Sequence, residues 1–87
     1  MGGDRKVTER PYRVYALGGG GQQVVTSVAE AAAVVRSIAL ATGEKVVVDR
    51  NTLGVPRALF NREEGRWTCQ GSMEWAEKIV TILHRHG

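Results

Sequence analysis

Four groups of residues have the types that chemistry requires: four consecutive glycines at 18–21, a single cysteine at 69, histidines at 84 and 86, and the carboxylates Asp49, Glu63 and Glu64. A glycine-rich loop cradles phosphate when it opens directly into a helix N-terminus, where unpaired amides converge. Here Gln22–Thr26 intervenes before the first helix signal at Ser27, and neither a Walker lysine nor a G-x-G-x-x-G spacing is present, so the tetraglycine reads as a flexible turn. His84 and His86 flank one residue; at about 100° per residue they point about 200° apart on a helix and cannot share a metal, as an i, i+4 pair could. They read as cations near a helix C-terminus. Cys69 alternates with Trp67 in a strand-like run, which turns it toward the core, and nothing in its neighbourhood activates it as a nucleophile; it reads as an inert buried thiol. Two of the three carboxylates, Glu63 and Glu64, fall in a turn, so no acid/base pair emerges. No catalytic, cofactor-binding or metal-ligating residue is assigned, and the chain is not expected to be an enzyme.

The elements that position these residues must fit in a short chain. Its 87 residues fall below the roughly 100–200 of a typical domain, leaving room for one hydrophobic core. With 43% hydrophobic and 24% charged residues, it is not a disordered or low-complexity chain. Such a chain buries only about 60–65% of its unfolded surface, so its stability is a few kcal/mol and self-association would readily add to it. One cysteine forms neither an internal disulfide nor a Cys-based metal site, which favours a reducing, cytoplasmic setting. Met1–Lys6 is not followed by the apolar region of an export signal, and no stretch approaches the ~18 apolar residues of a membrane span. The net charge of +3 and pI near 9.5 tilt the surface mildly toward anionic partners.

Residues 1–10 read as a flexible leader and 11–87 as a single domain. Tyr12–Leu17 is rich in β-formers, the glycines break it, and Gln22–Thr26 returns as a second strand, making the tetraglycine a hairpin tip. Ser27-Val28-Ala29-Glu30 has the form of a capping box, opening a helix that runs to Ala41 and ends before Gly43. Its core face is Val28, Ala31, Ala32, Val35, Ile38 and Ala39. Three successive valines within Lys45–Asp49 mark a strand at the sheet centre. Turn chemistry at Arg50–Pro56, a strand at Arg57–Asn61, a turn at Arg62–Gly65 and a strand at Arg66–Gln70 follow. A second amphipathic helix spans about 73–85, with Glu74 and Glu77 in its first turn and His84, Arg85 and His86 in its last. The order β-β-α-β-β-β-α predicts an α+β fold: a small antiparallel sheet with two helices on one face.

From Ser27 onward the order α-β-β-β-α resembles that of the double-stranded RNA-binding domain. That family's Gly-Pro-x-His loop corresponds here to Leu53-Gly54-Val55-Pro56-Arg57, and its Lys-rich start of the last helix to Ser72-Met73-Glu74-Trp75-Ala76-Glu77. Carboxylates stand where phosphate-contacting lysines would be required, so the resemblance carries the order of elements and not the function.

Two surfaces remain as sites of interaction. Alternation sends Arg57, Leu59, Asn61, Arg66, Thr68 and Gln70 to the uncovered sheet face, with Arg13 and Tyr15 joining them. That is a polar, basic face with one aromatic, and Arg13, Tyr15, Arg57 and Arg66 are its candidates for contacting an anion or nucleic acid. Both helices carry more apolar residues than one small sheet covers, and Leu40, Met73, Trp75 and Ile82 stand out as an interface. The leading expectation is a non-catalytic interaction module that forms a homodimer through helical or edge-strand surface. The alternatives are a small nucleic-acid-binding protein using the basic face, and a small-ligand binder with Trp67 and Trp75 lining a pocket; no particular ligand or cofactor is implied.

Overall fold

The computed structural model describes residues 11–50 and 57–86; the expected leader at 1–10 and most of the turn at 50–56 lie outside them. The element order is the expected one: β1 (Tyr12–Ala16), β2 (Gln23–Val25), α1 (Val28–Thr42), β3 (Val46–Asp49), β4 (Arg57–Glu63), β5 (Arg66–Gln70) and α2 (Glu74–Arg85). The five strands form one sheet in the order β2-β1-β3-β4-β5, every neighbouring pair antiparallel. The valine-rich strand β3 is central, and all four of its residues are buried.

Helix α1 begins as the capping signature requires: Glu30 N–H donates to Ser27 Oγ at 3.1 Å. The reciprocal bond differs, because Glu30 Oε1 accepts from the N–H of Thr26, one residue before the cap, at 3.1 Å. The helix ends on Gly43 at φ 72°, a left-handed conformation open to glycine at little steric cost, with the Gly43 N–H on the Ala39 carbonyl. Helix α2 lacks a side-chain cap; its cap position is Met73, whose side chain packs against the core instead.

Two of the hairpins, β1–β2 and β4–β5, turn within the described residues. Between β1 and β2 the chain passes through the glycines, with Gly19 and Gly20 at φ 114° and 106°. The Gly18 N–H donates to Glu44 Oε1 at 2.9 Å, tying the loop to the end of α1. Between β4 and β5 the turn is tighter than the four residues Arg62–Gly65. Strand β4 continues to Glu63, and only Glu64 and Gly65, at φ 54° and 78°, form the connection. Two positive φ values give the two-residue turn whose twist matches that of the strands, so Arg62 and Glu63 stay in the ladder.

Register divides the sheet into two faces. The inner face carries Tyr12, Val14, Val46, Val48, Ala58, Phe60 and Trp67, all buried. Helix α1 covers it over β1 and β3 through Ala31, Ala32, Val35 and Ala39, and α2 covers it over β5 through Ala76, Ile79 and Leu83. Among the described elements, no helix lies on the outer face.

Candidate interaction surfaces

The outer face is built from three rows that cross the strands. The first is Val24, Arg13, Asp49 and Arg57; the second is Tyr15, Val47, Leu59 and Gln70. The third includes Lys45, Asn61 and Thr68, with Leu17 beside Lys45 through a 2.8 Å bond from the Leu17 N–H to the Lys45 carbonyl. Beyond it Glu63 pairs in register with Arg66. The middle row is thus apolar over three adjacent strands. Val47 is sunk between its larger neighbours at 4% exposure, while Leu17 and Val24 are each 57% exposed. Two shallow depressions, of about 310 and 270 Å³, share Leu59 and Gln70 as lining.

This geometry places all four basic-face residues on the expected side, but it does not gather their charge. Arg13 bridges to Asp49 at 3.5 Å, and Asp49 lies in register between Arg13 and Arg57. Arg57 and Arg66 do not stand together: β4 runs seven residues from Arg57 to Glu63, about 20 Å at ~3.3 Å per residue, and Arg66 sits beside Glu63 at the far end. Each arginine on this face therefore has a carboxylate next to it. The face is also more apolar than alternation from β4 and β5 alone implied. The signal for this lies in the three valines of β3: if Val46 and Val48 point inward, Val47 must point outward.

The four helix residues expected at an interface differ in how far they are exposed. Met73, Trp75 and Ile82 are each partly buried against the protein's own core. Trp75 meets Tyr12 edge to face with ring centroids 5.6 Å apart, and the Arg50 guanidinium lies 4.3 Å from the Tyr12 ring centre on its own account. Ile82 lines two open hollows of about 470 Å³ each, one between α1 and α2 and one along α2 beside Val28. Of the four, Leu40 is half exposed. Trp67 and Trp75 line neither hollow. Trp67 is buried, its ring 5.8 Å from the Arg62 guanidinium, and its indole N–H has no acceptor among the described residues.

Cys69 lies on the inner face opposite Phe60, only partly buried, with Sγ 3.9 Å from the Gly71 carbonyl. Burial, and after it the negative charge of Glu77, push the thiol pKa up, so the reactive thiolate is disfavoured. His84 has a more particular task than capping a helix: its Nε2 donates to the Trp67 carbonyl at 3.0 Å. The Glu63–Arg66 pair closes a two-residue hairpin, so the next pair, Arg62–Trp67, is a non-hydrogen-bonded one. The Trp67 carbonyl therefore points outward along the free edge of β5, where His84 occupies it. Among the described residues there is no group of three or more His, Cys, Asp or Glu side chains placed to hold a metal ion, and no helix long and apolar enough to cross a membrane. No protein-family model, curated protein or solved structure matches the chain, so its function is read from its own residues.

Proposed function

We propose that the protein is a non-catalytic interaction module that self-associates as a homodimer, working in the cytoplasm. The observation that carries this reading is the apolar row Tyr15–Val47–Leu59, which crosses three central strands on a sheet face that no described helix covers. Leu17 and Val24, in the rows on either side, add apolar surface to the same face, each more than half exposed. A small domain with a one-sided core gains stability by covering such a surface. The single cysteine supports the reducing compartment. Nucleic-acid binding draws less support from the same face, because Asp49 separates Arg13 from Arg57 and Glu63 accompanies Arg66.

Sedimentation equilibrium at micromolar concentration tests the reading directly. The expected result is a species of twice the 9.5 kDa chain mass. A species of single-chain mass at every concentration, together with salt-dependent binding of single-stranded or duplex nucleic acid, would replace it with the nucleic-acid reading.

A further inference from the structure

Resting on that reading, we infer that two copies meet through their outer sheet faces, about a two-fold axis that runs across the strands along the row Tyr15–Val47–Leu59. Sheets that pack face to face keep their strands nearly aligned and sit about 10 Å apart, a gap that tyrosine, valine and leucine side chains fill. Aligned sheets allow two axes in the plane between them, and the two give different partners to every charge. An axis across the strands keeps each strand facing its own copy and exchanges the first row with the third. Tyr15, Val47 and Leu59 then meet their own copies, Arg13 faces Leu17, Asp49 faces Lys45, and Arg57 faces Asn61. An axis along β3 exchanges β1 with β4. Arg13 then faces Arg57, while Asp49 and Lys45 each face their own copies.

Like charges brought together at an interface are strongly unfavourable, and the axis across the strands sets none opposite one another; Asp49, buried and bridged to Arg13 in its own chain, stays with Arg13 under either axis. Charge therefore selects the axis and apolar area supplies the adhesion. The helical surface competes poorly, because Met73, Trp75 and Ile82 are already partly buried in their own chain.

The test combines association with cross-linking. Sedimentation equilibrium is run on the unmodified protein and on Leu59→Lys, whose fold is checked by circular dichroism. Because the two-fold uses Leu59 twice, the lysine is expected to weaken association roughly a hundredfold. Independently, in a Cys69→Ser background that leaves one reactive thiol per chain, Leu59→Cys and Tyr15→Cys are treated with a short bis-maleimide. Each is expected to cross-link to itself. Cross-linking that occurs only when the two cysteine variants are mixed would overturn the axis. An unmodified dimer whose dissociation constant is unchanged by Leu59→Lys would overturn the surface and leave self-association standing. An unmodified protein that stays monomeric at millimolar concentration would remove both.

Discussion

Removing the Trp75 ring separates a core role from an interface role for helix α2. Trp75 is partly buried on the core and meets Tyr12 edge to face at 5.6 Å. A fully buried Trp→Ala change costs about 3–5 kcal/mol, so a partly buried one costs about 2. The aromatic pair adds about 0.5–1.5 kcal/mol beyond its area. Trp75→Ala should therefore destabilise the monomer by about 2.5–3.5 kcal/mol, lowering the midpoint by about 10–28 °C in a domain of this size. Urea unfolding followed by far-ultraviolet circular dichroism measures this, at dilutions where association does not contribute. Paired with Tyr12→Leu in a double-mutant cycle, it should return a coupling of about 1 kcal/mol. Monomer stability within about 0.5 kcal/mol of the unmodified chain, together with lost dimerisation, would refute the assignment and return Trp75 to an intermolecular surface.

Two further outcomes follow from local geometry. Glu64 holds φ 54° in a turn that favours Asn-Gly; Glu64→Asn should raise stability by about 0.5–1 kcal/mol in thermal unfolding, and a loss would mean that the turn is not the two-residue type described. Cys69 has a folded pKa raised by burial and by Glu77, so native protein at pH 8 should alkylate more slowly with iodoacetamide than urea-unfolded protein at the same pH; equal rates would contradict the partly buried thiol. Because the folded pKa is the higher one, its contribution to stability is complete below the ordinary thiol range and is lost as pH rises through the folded value. Cys69→Ala should remove that alkaline loss.

Local signals in the sequence were sufficient where one residue decides the backbone. Ser27 and Gly43 marked both ends of α1, and both adopt the predicted capping conformations. The valine run placed β3 at the centre of the sheet. Composition makes the turn after β4 longer than it is, because Arg62 and Glu63 look like loop residues, and only the positive φ values at Glu64 and Gly65 keep them in the ladder. The surfaces were harder to read. Periodicity identified Trp75 and Ile82 as more than one sheet should cover, but a neighbouring helix and the Tyr12 ring, both distant in sequence, absorb much of them. In the same way the sequence named four basic-face residues, yet the register that separates Arg57 from Arg66 and sets Asp49 between Arg13 and Arg57 belongs to the paired strands.

The bond from His84 to the Trp67 carbonyl bears on how large an assembly of this chain can become. A sheet grows without limit when a free edge offers a ladder of unpaired backbone groups to the next chain. Here one outer edge has a carbonyl already engaged by α2, and the other is the three-residue strand β2. A newcomer finds few groups to pair with on either side. Among the described residues, open-ended growth through the sheet edges therefore has little backbone to bond to, and a covering surface for the outer face has to come from side chains instead.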